Sequence, residues 1–236
     1  MLLQVKEISV FYEDSCVLQS VSMEVARGEM VALLGRNGVG KSTLLKSIMG
    51  MVPPRSGSVL FMGEEMRGRA PFFVARQGIG YVPEERRIFA GLTVRENLLM
   101  GVKTGKHGKT GKGWTIQRVY AEVPHLAARD SVLGGNLSGG EQQLLTVMRS
   151  LMGDPELTLI DEPSEGLSPI MAGVIFDIIT KMNMEGMSIV LVDRNLAYAC
   201  NKAQRVYLMS KGTIGYTGAG KEVLENKQIQ AKFLAV

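Results

Sequence analysis

Hydrophobic and polar positions change period several times along the 236 residues. Residues 3–11 read as a strand. In 21–26 the apolar Val21, Met23 and Val25 alternate with Ser22, Glu24 and Ala26, the period of a half-buried antiparallel pair. Residues 30–34 are apolar throughout, as expected of a strand covered on both faces. A glycine-rich turn and a helix starting near Lys41 follow directly, and 57–61 and 79–82 are further short strands.

From about residue 84 to 152 helical signals dominate. Thr93 with Glu96, and Ser138 with Glu141, each form a capping-box pattern ahead of an apolar stretch. Strand character returns at 157–160. A helix then opens with Ser168 as its cap and Pro169 at its first position, and runs to about Met184 with Gly186 just beyond. Residues 188–192 are another apolar strand, a short helix starts near Asn195, and 205–216 reads as a terminal hairpin. The order predicts an α/β chain: a core formed by about 1–84 and 153–236, interrupted by a helical insertion over about 85–152.

Composition narrows the function classes. With 45% apolar and 21% charged residues the chain is of ordinary globular type. Its net charge of +4, from 27 basic and 23 acidic residues, is too mild an excess to argue for a nucleic-acid partner. One stretch is single-signed: Lys103, Lys106, His107, Lys109, Lys112 and Arg118, with no acid between Glu96 and Glu122. It reads as a solvated loop, with a contact to anionic lipid headgroups as the sharper alternative. Cys16 and Cys200 have neither metal spacing nor a disulfide framework, which fits a reducing cytosol, and both read as small apolar fillers. His107 and His125 read as surface or packing residues. The N-terminus carries charge where a signal peptide needs an apolar run, and no apolar stretch reaches about 20 residues. Any membrane role is therefore expected to be peripheral.

Gly35-Arg36-Asn37-Gly38-Val39-Gly40-Lys41-Ser42, followed by Thr43, fits G-x-x-x-x-G-K-[ST] in full, between a buried strand and a helix. Glycines let the backbone curl so that consecutive N–H groups face one anion, and the helix N-terminus adds its positive end. Lys41 would reach the β- and γ-phosphate oxygens of ATP, and the Ser42 hydroxyl would ligate Mg²⁺. Asp161 and Glu162 end another buried strand, where ionised carboxylates are costly unless a cation or hydrogen bonds meet them. Beside a phosphate loop, Asp161 would hold Mg²⁺ and Glu162 would polarise the attacking water.

Leu137-Ser138-Gly139-Gly140-Glu141-Gln142-Gln143 is a second anion-binding device, a capping serine and two glycines at a helix start. In this order, between a phosphate loop and a carboxylate pair, it resembles the signature of ABC ATPases, and the resemblance covers essentially the whole chain. It implies a P-loop NTPase (RecA-like) core with an N-terminal antiparallel β subdomain and an inserted α-helical subdomain. It also implies a head-to-tail dimer, in which ATP on one subunit's phosphate loop is clamped by Ser138, Gly139, Gly140 and Glu141 of the other. By the same resemblance Tyr12 corresponds to the aromatic that stacks on adenine. The segment Ser164-Glu165-Gly166-Leu167 corresponds to the one that crosses the dimer interface. Residues 80–89 and 161–169 look especially like the subfamily serving branched-chain amino-acid uptake, and urea-uptake ATPases are similar too. The implied partners are an identical or related second ATPase, membrane-embedded permease subunits and, indirectly, a periplasmic solute-binding protein. The helical insertion would hold a groove for a cytoplasmic helix of the permease, lined by Ile88, Phe89 and Ala90; Leu98, Leu99 and Met100 would line it too or form internal core.

Two positions depart from the family pattern. Glu84 stands where most members have a glutamine that contacts Mg²⁺ or its water and moves with the membrane domain; the coupling role carries over. Arg194 stands where the family usually has a histidine at the γ-phosphate. Two readings of it remain open: an electrostatic stabiliser acting with Glu162, or a partner of a nearby acid in an impaired site. The second would suit a weakly hydrolytic half of a heterodimer.

Overall fold

The computed structural model describes residues 1–103 and 113–234. Four strands, β1 (Leu3–Tyr12), β2 (Ser15–Val25), β4 (Ser56–Phe61) and β5 (Glu64–Glu65), form an antiparallel sheet in the order β2-β1-β4-β5. Six more form the second sheet: β3 (Met30–Gly35), β6 (Ile79–Val82), β7 (Leu157–Asp161), β8 (Ser188–Val192), β9 (Arg205–Ser210) and β10 (Thr213–Gly218). Their order is β10-β9-β3-β8-β7-β6, parallel except for the β9–β10 hairpin.

The helices, in chain order, begin with α1 (Lys41–Ile48), α2 (Pro71–Arg76), α3 (Val94–Leu99), α4 (Ile116–Glu122) and α5 (Pro124–Ala127). There follow α6 (Gly139–Leu151), α7 (Pro169–Met184), α8 (Leu196–Lys202), α9 (Gly220–Glu225) and α10 (Lys227–Phe233). Between β6 and β7 the described residues are helical or irregular, with one isolated bridge from Thr93 to Leu133.

Strand β3 shows why its run is apolar throughout. Val31 and Leu33 join a core shared with β1, β2 and α1, while Met30, Ala32 and Leu34 join one shared with α6 and α7. Both faces of a central parallel strand are thus removed from water. The two capping boxes form as the sequence predicts, with Thr93 and Ser138 each accepting from the backbone N–H three residues on. Strand β2 is longer than predicted. Its first half faces water with Ser15, Cys16, Gln19 and Ser20, and bulged pairing with β1 breaks the alternation there.

The basic stretch is not a solvated loop where it is described. Lys103 is half-buried and donates to the Ala75 carbonyl at 2.9 Å. Arg118 lies 4.0 Å over the Trp114 ring and pairs with Glu185. Lys106, His107, Lys109 and Lys112 lie outside the described residues.

Asn97 is fully buried in α3 and stitches the preceding loop. It accepts from Phe89 N–H at 2.8 Å and donates to the carbonyls of Phe89, Leu92 and Thr93 at 2.9–3.0 Å. Replacing Asn97 with alanine is expected to cost about 2–4 kcal/mol, because it strands several buried backbone groups at once. Urea unfolding of the purified variant measures that loss.

Candidate functional site

The turn from β3 to α1 is held tightly. Gly35 and Gly40 take φ values of +153° and +107°. A Cβ would lie 2.5 Å from the Met209 carbonyl oxygen at Gly35 and 2.6 Å from Leu18 Cδ2 at Gly40. Only glycine fits both places. Lys41 is 7% exposed and its ammonium folds back on the loop, donating to the carbonyls of Gly35 at 3.0 Å and Arg36 at 3.1 Å. Burial pushes Lys41 below the usual lysine range, against the pull of Glu162 and Asp161. A cavity of about 300 Å³ opens over the loop. Asn37, Gly38, Gly40, Lys41, Ser42 and Thr43 line it from below, and Val17, Glu84, Glu162 and Arg194 from the sides. Arg36 is exposed and Val39 packs against the core of the first sheet.

Consecutive strand residues normally face opposite sides, yet Asp161 and Glu162 both reach this loop. Glu162 has φ +43°, a left-handed conformation that breaks the alternation at a cost of about 1 kcal/mol or more. Its N–H is fixed on the Val192 carbonyl at 2.8 Å. Asp161 is 1% exposed. Its Oδ1 accepts from the Ser42 hydroxyl at 3.2 Å, and its Oδ2 from the Tyr81 hydroxyl at 3.4 Å.

Burial pushes the Asp161 carboxyl above the ordinary range; the Ser42 hydrogen bond opposes this, and the charges of Glu162 and Glu84 add to it. A buried hydroxyl–carboxylate pair with surplus negative charge nearby suits Mg²⁺, which keeps most of its shell for phosphates and water and takes one or two protein oxygens. Among the described residues no cluster of three or more acids, histidines or cysteines competes with it as a metal site.

Glu162 is surrounded by cations. Lys41 Nζ lies 3.8 Å from Oε1 and Arg194 Nε 2.7 Å from Oε2. The Arg194 contact is close but poorly aligned, so Oε2 remains without a hydrogen bond. Arg194 continues to Glu165 at 3.1 Å. Asp193, also pushed up by burial, accepts from the Ser164 hydroxyl at 2.8–3.0 Å and from Asn195 N–H at 2.7 Å. The segment after the carboxylate pair is thereby tied to the end of β8.

Ser138 is exposed at the start of α6, with Gly139 and Gly140 behind it. None of these three lines the cavity over the phosphate loop. Tyr12 ends β1 at 46% exposure and does not line that cavity either; Val17 does. Glu84 is exposed at the cavity rim.

Sequence reasoning missed several contacts. Tyr81 carries no local cue for its bond to Asp161. The Arg86 guanidinium fills the space where a side chain on Gly139 would project, and it reaches the Gly166 carbonyl at 3.4 Å. His125 is on the surface as expected, but its ring nitrogen is 3.0 Å from Glu141.

A glycine loop closing on a buried lysine, with an acid pair ending the next strand but one of a parallel sheet, defines a phosphate-loop nucleotide hydrolase. The description "ABC transporter" matches residues 18–165, and the chain belongs to that family. It is 39% identical over 234 residues to the high-affinity branched-chain amino acid transport ATP-binding protein BraG of Pseudomonas aeruginosa, covering 99% of each chain. It is 31% identical to the lipopolysaccharide export system ATP-binding protein LptB of Haemophilus influenzae, covering 99% of this chain and 97% of that one. The crystal structure of an ATP-binding cassette of an ABC transporter in its ADP conformation matches with a TM-score of 0.82 at 25% identity, covering 98% and 97% of the two chains. The chain is thus an ATPase that binds ATP with Mg²⁺. Among the described residues no helix is long and apolar enough to cross a membrane.

Proposed function

We propose that this chain is one of two ATPase subunits that drive uptake of branched-chain amino acids through a membrane-embedded permease, working on the cytoplasmic face of the membrane. The observation that carries the two-subunit reading is the split of the anion-binding parts. Lys41, Ser42, Glu162 and Arg194 gather on one cavity, while the start of α6 faces water outside it. A second, identical or related chain presenting Ser138, Gly139, Gly140 and Glu141 would complete the enclosure of the phosphates. The choice of solute rests on the likeness to BraG and on residues 80–89 and 161–169; the lower likeness to an export ATPase argues less for export. A periplasmic binding protein would deliver the solute to the permease.

Arg194 and Lys41 hold Glu162 between them. An arriving triphosphate competes for both cations. Lys41 turns from the Gly35 and Arg36 carbonyls to the β- and γ-phosphates, and Arg194 turns from Glu162 toward the γ-phosphate. Glu162 is then free to accept a proton from the attacking water. Ser42 and Asp161 would hold Mg²⁺, which when bound neutralises phosphate charge. Tyr12 stacks on the adenine ring, and Glu84 relays movement to the permease.

A groove of about 450 Å³ has Met51, Phe72, Phe89 and Met100 as apolar walls and Arg87, Lys103 and Arg149 as its cations. It would take the cytoplasmic helix of the permease. Leu98 is buried core and Ile88 packs on the core, so of the two apolar runs it is Phe89 and Met100 that line this groove.

Replacing Arg194 with alanine is expected to lower ATP turnover in the assembled transporter by roughly tenfold or more, as for other removed transition-state donors. Unchanged turnover rejects the stabiliser role. Proteoliposomes holding the permease, this chain and internal ATP, supplied with binding protein, should accumulate labelled leucine. Absence of leucine, isoleucine and valine uptake in a preparation that hydrolyses ATP rejects the solute class.

A further inference from the structure

The start of α6 presents an electrostatic conflict. A helix start suits a phosphate, yet Glu141 places a carboxylate in the first turn. Glu141 Oε2 accepts from Ser138 N–H at 2.7 Å, completing the cap. Its Oε1 is buried and has no aligned hydrogen bond. Two groups from the segment around α5 converge on that oxygen: the Arg129 guanidinium Nε at 3.4 Å and the His125 imidazole Nε2 at 3.0 Å.

We propose that His125 and Arg129 are positioning residues of the Ser138–Gly140 clamp: the Arg129 guanidinium and the His125 ring nitrogen hold and offset the Glu141 carboxylate, so that the start of α6 can receive the terminal phosphate of ATP held by a second copy of this chain. This rests on the two-subunit reading given above. The Glu141 side chain is 8% exposed against 63% for His125 and 50% for Arg129, so removing both partners leaves a buried carboxylate oxygen alone, which costs stability in its own right. Their effect here is on the potential at an anion-binding helix start, where a single charge acts directly. Arg86, which lies against Gly139, adds positive charge from another segment and stays constant in the comparison.

The test is a cycle of substitutions, each made in a Glu162→Gln chain so that ATP is not consumed. Sedimentation measures the ATP concentration giving half-maximal association for the parent, for His125→Gln with Arg129→Gln, for Glu141→Gln, and for all three together. The His125 and Arg129 pair of substitutions should raise that concentration roughly three- to tenfold, the range of a charge at a helix end, and more at low salt than at high. Added to Glu141→Gln, where no charge remains to cancel, the same two substitutions should produce no further loss. An equal loss in both backgrounds marks a merely structural role and overturns the proposal, as does the absence of any loss in the chain that keeps Glu141. If ATP fails to associate the parent itself, the two-subunit reading falls and takes this inference with it.

Discussion

Changing Glu162 to glutamine should lower ATP turnover by about two to four orders of magnitude, the usual contribution of a positioned general base, while ATP still binds. The geometry separates the two effects. In the proposed reading the phosphates would be met by Lys41 and the loop amides and Mg²⁺ by Ser42 and Asp161; of these only Lys41 faces Glu162, at 3.8 Å. Glu162 sits to one side, its backbone held in a left-handed turn and its Oε2 buried without a hydrogen bond. That oxygen is ion-paired with Arg194 Nε at 2.7 Å, and in the proposed reading a water poised for attack would take the place of Arg194 once it has turned to the phosphate. Glutamine keeps the shape and removes the basicity. A variant that turns over ATP within threefold of the parent, in steady-state phosphate release, would show that another group takes the proton.

The second large effect concerns Lys41. Replacing it with alanine should weaken ATP binding by about two to three orders of magnitude, since charge-assisted hydrogen bonds contribute about 1.5–3 kcal/mol each and the ammonium can make more than one. That ammonium donates to two loop carbonyls and faces a carboxylate at 3.8 Å. It is thus already desolvated and within reach of the cavity, so little reorganisation is needed when phosphates arrive. Titration calorimetry with Mg–ATP reads the change. An affinity within fivefold of the parent would mean that the loop amides alone carry the binding.

Much of this was legible because the relevant signals are local. A strand buried on both faces, as at 30–34, 157–160 and 188–192, is a run of apolar residues wherever it occurs. Ser138 with Glu141 and Ser168 with Pro169 are caps whose partners lie within one turn. The phosphate loop is contiguous, so its residue spacing alone conveys its chemistry.

The illegible parts share a different origin. Helices α2, α4, α5, α9 and α10 span four to seven residues, too few for a helical period to stand out, and packing rather than propensity holds them. Lys103 looked solvated among lysines and glycines, and only the fold shows the Ala75 carbonyl that receives it. The neighbours of Glu141, the ties from Ser164 to Asp193 and from Glu165 to Arg194, and the reach of Arg86 to Gly139 all cross between segments. Sequence spacing does not encode such meetings. Arg194 illustrates the limit: its identity leaves a phosphate stabiliser and an acid's partner both open, and the structure shows the ion pairs with Glu162 and Glu165 from which it would have to move.

The claim that most depends on the whole arrangement is that two copies of this chain, or this chain and a close relative, together enclose ATP. Sedimentation of the Glu162→Gln chain with and without Mg–ATP, carried out with its related partner if one is encoded beside it, tests that directly. The expected result is association that requires ATP and is lost when Ser138 is changed to a bulky residue such as phenylalanine. A chain that saturates with ATP yet stays monomeric, alone and with that partner, would contradict it.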